Sequence, residues 1–261
     1  MTKREKAFFK AYGIECSNDK LVSPYGLVAP LLKNNNRKVG KKVYTFGLLP
    51  TNKLFESEHG IIAGTCPCTC EKGYCTRGCY NFKDVKTGNI IKTLLCYKYL
   101  NWVKSAIMAQ LEYITEKAEK DGSQVYIRIH DTGDFYGVDY VNMWHEIIAA
   151  FPCVKFWTYT KSKFENAFDD LVNANIVKSV IPGIGYNFGH IDYILSAYNQ
   201  LKNAGENVYI CRCGIDPEQH CENCSHCATN KYVLFIEHST EYKATEDPLF
   251  ETIKSVINSQ E

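Results

Sequence analysis

From residue 43 onward, stretches that read as strands alternate with stretches that read as helices, and this alternation constrains the chain more than any other feature. VYTFGLL (43–49) is rich in β-branched and aromatic residues, as a strand should be. Leu100, Val103, Ile107, Leu111, Ile114 and Ala118 recur three or four apart, which lines them along one helical face. Asp121–Gly122 ends that helix. VYIRIH (125–130) reads as a strand. Tyr140, Trp144, Ile147, Ile148 and Phe151 have helical spacing, with Pro152 just beyond. VKFWTYT (154–160) predicts a strand, FENAFDDLVNA (164–174) a helix, and IVKSVIPGIGY (176–186) a strand kinked at Pro182. Ile191, Ile194, Leu195, Tyr198 and Leu201 mark another helix, closed by Gly205. NVYIC (207–211) and YVLFIEH (232–238) are the last strands, and 246–258 the last helix.

Six strand–helix units imply an α/β fold with a parallel sheet. Right-handed crossovers set successive strands side by side and curl the sheet toward a barrel. A closed eight-unit barrel takes about 250 residues. The 261-residue chain must also hold two cysteine-rich loops, so an incomplete (β/α)6 barrel fits its length better. An open doubly wound sheet is the competing topology. Residues 1–42 read as an N-terminal extension, and 43–261 as a single domain with a cysteine-rich insertion at 211–230. The basic stretch KNNNRKVGKK (33–42) reads as a solvated loop, with phosphate contact as the alternative.

In such folds the active site lies at the C-terminal ends of the strands. The first cysteine window follows strand one, HDTGDF (130–135) strand two and TKS (160–162) strand three. The second cysteine window follows strand five, and His238 ends strand six. The chemically suggestive stretches therefore converge on one sheet edge.

Ten of the thirteen cysteines lie in the two windows, 66–79 and 211–227. Cys16, Cys96 and Cys153 are scattered and read as small apolar residues. The N-terminus carries charges but no apolar run of the signal-peptide type, and no stretch is long and apolar enough to span a membrane. The expected compartment is a reducing cytoplasm, where disulfides are rare and clustered cysteines bind metals. The net charge of +1 gives no global attraction to nucleic acid, so such a partner would need a local patch.

Window one, GTCPCTCEKGYCTRGCY (64–80), holds Cys66, Cys68, Cys70, Cys75 and Cys79 without any C-x2-C knuckle of the kind zinc favours. Three close thiolates on one flexible loop suit a [4Fe–4S] cluster with one open iron. Cys75 and Cys79 are the expected ligands, with Cys66 preferred as the third and Cys68 or Cys70 as alternatives. A structural zinc site is the competing reading. In window two, Cys221, Cys224 and Cys227 have the C-x2-C-x2-C spacing of a ferredoxin run. Cys213 is the expected fourth ligand and Cys211 the alternative. Four thiolates suit a second [4Fe–4S] cluster or zinc equally. His220 and His226 read as flanking residues.

In VYIRIH the apolar face is Val125, Ile127 and Ile129, so Arg128 and His130 are expected to face the barrel interior. His130, Asp131 and Asp134 then become candidates for catalysis or for binding polar ligand groups, with Gly133 allowing close backbone approach. Both aspartates could instead cap the following helix. Lys161 is a further catalytic candidate, expected to pair with a carboxylate or phosphate, with a solvated side chain as the alternative.

The order TCP…C-x3-C-Y (65–80), RIHDTGDF (128–135), FWTYTKS (156–162), IPG (181–183), C-x7-C-x2-C-x2-C (213–227) and VLFIEH (233–238) resembles the gene product eighty-eight family of bacteriophages and mobile elements. The resemblance runs from about residue 45 to 240. The cysteine loop after strand one of a partial barrel is also similar to radical S-adenosylmethionine enzymes. That likeness implies a cluster whose open iron binds S-adenosylmethionine, an external electron donor, and cofactor contacts from His130, Gly133 and Asp134. The chain departs from the superfamily's C-x3-C-x2-C spacing, because Phe82 stands where the third cysteine belongs. The substrate is not legible. Two other readings stand beside this one. One is a zinc-stabilised module binding nucleic acid or protein. The other is a metal-dependent hydrolase using His130, Asp131, Asp134 and His238.

Overall fold

The computed structural model describes residues 1–34, 39–40, 42–51, 53–66, 87–216, 218–219, 221–237 and 243–260. Helix α1 (Lys3–Ala11) opens the chain, closed at its N-terminus by a Thr2–Glu5 capping box. An antiparallel meander follows: β1 (Cys16–Ser17), β2 (Lys20–Ser23) and β3 (Gly26–Val28). Phe9, Ile14 and Leu21 of this segment are buried in the same core as the helices further along.

The central sheet is parallel. Its strands are β4 (Val43–Phe46), β7 (Val125–Ile129), β8 (Val154–Thr160) and β9 (Ala174–Lys178), in the order β4-β7-β8-β9. A hairpin of β5 (Leu54–Ser57) and β6 (Gly60–Ala63) stands between β4 and the first cysteine window. Helices α2 (Thr87–Lys98), α3 (Leu100–Asp121) and α4 (Val138–Ala150) cover one face of the sheet. The apolar stripe of α3 is buried as its periodicity predicts, through Val103, Ile107, Leu111, Ile114 and Ala118. Gly122 ends this helix in the left-handed region at φ 62°, and Ser123 N–H reaches back to Ala118 O at 2.9 Å.

A second parallel sheet holds β12 (Phe188–Gly189), β13 (Val208–Ile210) and β14 (Tyr232–Ile236). Helix α5 (Ile191–Asn203) connects β12 to β13, and α6 (Phe250–Asn258) follows β14. Lys178 N–H donates to Lys231 O at 3.0 Å, which brings the second sheet beside β9.

Three expectations are corrected here. Strand order in the second sheet is β12-β14-β13, so the last strand lies between its predecessors and the successive strands β12 and β13 are not side by side. The absence of a closed barrel among the described residues is not one of them, since the expected barrel is incomplete. Residues 164–172 make turns with i to i+3 bonds, such as Leu171 N–H to Phe168 O, instead of a helix. Asn173 prevents it: its buried amide donates to the carbonyls of Ile148, Phe151 and Val154 at 3.0, 3.0 and 3.2 Å, outweighing local helix propensity. The single strand expected over 176–186 is instead β9 followed by a tight antiparallel hairpin, β10 (Val180–Ile181) and β11 (Gly185–Tyr186).

No helix among the described residues is long and apolar enough to cross a membrane.

Candidate functional site

The two faces of the central sheet are chemically unlike. Val125, Ile127, Ile129, Val154, Phe156 and Ile176 point into the helical core. The other face carries Val43, Trp157, Val177 and Tyr159, and the second cysteine window covers it.

That window is built from three single-turn 3-10 helices: Arg212–Gly214, Cys221–Asn223 and His226–Ala228. Each brings at least one cysteine to the sheet. Asn175 of β9 holds the last turn by donating to Cys227 O and Asn230 O, each at 2.8 Å. His226 is stacked on Tyr209 with ring centroids 3.7 Å apart, and its Nδ1 lies 3.2 Å from the Asn230 amide. Burial, with the nearby Arg212 charge, lowers its pKa. The sulfurs crowd together. Cys213 hydrogen-bonds with both Cys211 and Cys221, and these contacts head the causes that raise both partners' thiol pKa values. Burial pushes Cys227 up to about 12. Against this, Tyr159 donates from its hydroxyl to Cys227 Sγ at 2.9 Å, and the Arg128 charge favours the thiolates of Cys221 and Cys227. Arg128 lies over the Tyr159 ring, 5.0 Å from its centroid, on the side its strand alternation predicts. Among the described residues, no three His, Cys, Asp or Glu side chains are arranged as a metal-ligating group. The described cysteines of window two are therefore present as a thiol cluster, not as a finished ligand shell.

The strand-end edge is organised differently. His130 does not continue the alternation of β7. Its backbone takes the left-handed region at φ 62°, and the ladder resumes beyond it, with Asp131 N–H to Phe46 O and Leu48 N–H to Thr132 O, both 2.9 Å. This turns the imidazole into the helical core instead of the opposite face. There its Nε2 lies 2.8 Å from the Tyr140 hydroxyl, and its ring packs against Phe135. Nδ1 is buried with no hydrogen-bond partner among the described residues. Burial, then the Lys92 charge, lowers the pKa of His130 to about 3, so it is neutral at physiological pH. A left-handed non-glycine residue and an orphaned buried nitrogen each cost stability, and such costs concentrate at working sites.

Asp134 is the hub of the edge. Its Oδ1 accepts from the Thr160 hydroxyl at 2.6 Å and from Phe135 N–H at 2.7 Å, and its Oδ2 accepts from Lys161 N–H at 2.9 Å. Burial nevertheless raises its pKa, opposed by these donors and by the Lys161 charge. Its own N–H donates to Thr65 Oγ1 at 3.1 Å, and that hydroxyl donates to Leu49 O. Cys66 N–H donates to Thr51 O at 2.8 Å. The HDTGDF loop, the TKS loop and the start of window one are thus joined at one residue: the Asp134 carboxylate holds the TKS loop, and its backbone N–H holds Thr65. Asp131 lies against Gly47, whose added Cβ would meet Asp131 Oδ1 at 2.1 Å. Cys68, Cys70, Cys75, Cys79, His220 and His238 lie outside the described residues.

Gly133 makes its close approach to protein, at φ 84°: a Cβ there would meet Thr65 Oγ1 at 2.6 Å and Leu48 Cβ at 2.8 Å. Gly133→Ala should therefore lower stability by about 2–3 kcal/mol, combining left-handed strain with overpacking. Urea denaturation checks this; an unchanged midpoint would show that the loop shifts freely.

Sequence reading singled out the loop but not Thr65, Thr160, Tyr140 or Tyr159, which hold it and the thiols. The one available signal was position: Thr160 at the end of a strand, and Thr65 immediately before the first cysteine.

A family model described as Gene product 88 matches residues 30–182, more than half of the chain. The matched region contains window one, His130–Asp134 and Lys161, and ends before window two. The Gene 88 protein of Mycobacterium phage D29 is 27% identical over 145 residues. That of Mycobacterium phage L5 is 26% identical over 145 residues. Each alignment covers 51% of this chain and 59% of the relative, so the chain spans 59% of the length of these curated relatives. No solved structure matches.

Proposed function

The chain belongs to the gene product 88 family, and from that premise we propose that it is a phage-type iron–sulfur protein, a radical S-adenosylmethionine-type enzyme acting on an as yet unidentified substrate. We read its two parallel sheets as one curved, incomplete (β/α)6 barrel, with the second cysteine window filling the concave face.

The observation that carries the reading is the gathering of the window-two sulfurs on one sheet face beside Arg128 and Tyr159. Four thiolates around a [4Fe–4S] core or zinc leave net negative charge in a half-buried place. A guanidinium offsets that charge, and a hydroxyl donating to sulfur stabilises thiolate further. The residues present therefore fit a thiolate-held centre on Cys213, Cys221, Cys224 and Cys227. Bringing the sulfurs into a complete shell requires loss of the thiol protons on loading. An open-sited cluster in window one, when bound, supplies one-electron chemistry on S-adenosylmethionine, with electrons from an external donor. In that reading Cys66, Cys75 and Cys79 hold it. Asp134 ties the base of the loop to the sheet edge and His130 shapes the adjoining turn; both position the site. Lys161 supplies positive charge at the same edge.

Iron and acid-labile sulfide content of anaerobically purified protein, with 5′-deoxyadenosine release under a strong reductant, tests the proposal. Replacing Cys224 and Cys227 by serine should remove about half of the iron, the share of one of two equal clusters. Replacing Cys75 and Cys79 should abolish nucleoside release. Zinc without iron or sulfide would overturn the iron–sulfur reading and leave a zinc-stabilised binding module.

A further inference from the structure

An open cleft of about 540 Å³, lined by no residue of either cysteine window, lies between the end of α2 and the first turns of α3 and α4. Its floor is aromatic. The Tyr97 and Tyr136 rings lie 4.5 Å apart between centroids, and Tyr136 stacks on buried Tyr140 at 4.6 Å and 23°. The Tyr136 hydroxyl donates to Cys96 O at 2.9 Å, which fixes the middle ring. The run of three rings ends at the surface in Tyr97, which is 41% exposed.

The rim is polar and carries donors. Helix α3 begins after Tyr99 and α4 after Gly137, and neither cap residue supplies a side-chain hydrogen bond. The first turn of α3 holds no acidic residue, and Lys98 lies just before it. The first turn of α4 carries Asp139. An exposed ring ending an aromatic run, a cation and two helix N-termini without side-chain caps thus line one cavity, whose size falls in the range of small-molecule sites.

We propose that this cleft binds a nucleotide unit, with the base on Tyr97 and the phosphate at the first turn of α3 beside Lys98. Stacking is indifferent to base identity, and helix N-termini favour phosphate. Asp139 repels phosphate from the α4 end and accepts from sugar hydroxyls or base amino groups instead. A free nucleotide and single-stranded nucleic acid present the same unit. The inference does not depend on the metal reading.

Calorimetric titration of the full chain with AMP, adenosine, inorganic phosphate and a short single-stranded oligo(dA) tests it. AMP should bind saturably and more tightly than adenosine or phosphate. Tyr97→Ser and Lys98→Gln should each weaken binding by about tenfold without changing the melting temperature. Asp139→Asn should tighten it. An oligonucleotide that binds more tightly than AMP and is displaced by it identifies nucleic acid as the source; the reverse order identifies a free nucleotide. Absence of saturable binding by both, or affinities unchanged in both weakening variants, overturns the proposal.

Discussion

Asp134→Ala should cost the fold about 3–5 kcal/mol, the range for leaving the partners of a buried, hydrogen-bonded charge unpaired. The residue is 5% exposed, and three donors converge on its carboxylate from two different loops. Truncation leaves the N–H groups of Lys161 and Phe135 without that acceptor. Thr160 retains Ser162 Oγ at 2.7 Å, so its loss is smaller. Asp134→Asn keeps the volume and one acceptor oxygen, and should cost about half as much. The melting temperature should fall by about 10 °C for the alanine variant. A fall of only about 2 °C would mean that the edge is not held through this carboxylate. Thr65, at the start of window one, is bonded to the Asp134 backbone N–H, which shifts when the carboxylate no longer anchors it, so on the proposed iron–sulfur reading the alanine variant should also load less iron than the asparagine variant. Equal metal content in the two variants would separate the hub from the cysteine loop.

What sequence revealed, and what it hid, follows from the range of the forces involved. The stripe of α3 and the faces of β7 and β8 are set by residues within one or two turns of each other, so their periodicity is legible. Arg128 lies on the thiol side because strand alternation is a local rule. His130 escapes that rule through a single left-handed residue, which its letter does not announce. The helix expected over 164–174 loses to Asn173, whose three acceptors lie between 19 and 25 residues away in sequence. Insertion of β14 between β12 and β13 is likewise a choice of tertiary packing. Asp134 shows the same limit at the site: its type suggested a ligand contact, but its partner Thr160 is 26 residues further along the chain. Spacing identified the thiols of window two, whereas the Tyr159 hydroxyl that addresses Cys227 comes from 68 residues earlier.

The pH dependence of stability should carry the imprint of His130. Its pKa falls from an ordinary 6.5 to about 3 in the folded state, mainly through burial and secondarily through the Lys92 charge. Between those values the unfolded chain takes up a proton on this residue and the folded chain does not. Acidification therefore favours unfolding: the contribution is whole above 6.5 and is lost as the pH falls through the folded value near 3. The slope approaches about 1.4 kcal/mol per pH unit, or roughly 2.5 kcal/mol between pH 6.5 and 4.5. Asp134 acts with the opposite sign, because burial raises its pKa. Its contribution is whole below the ordinary carboxylate value and is lost as the pH rises through the raised one. His130→Asn suits the left-handed backbone without titrating, and should flatten the profile. Asp134→Asn should steepen it, by removing the opposing group. Urea midpoints from pH 7 to 4 read both effects. Parallel profiles for the wild type and His130→Asn would show that this imidazole is not the buried, neutral group that its place beside Tyr140 and Phe135 makes it.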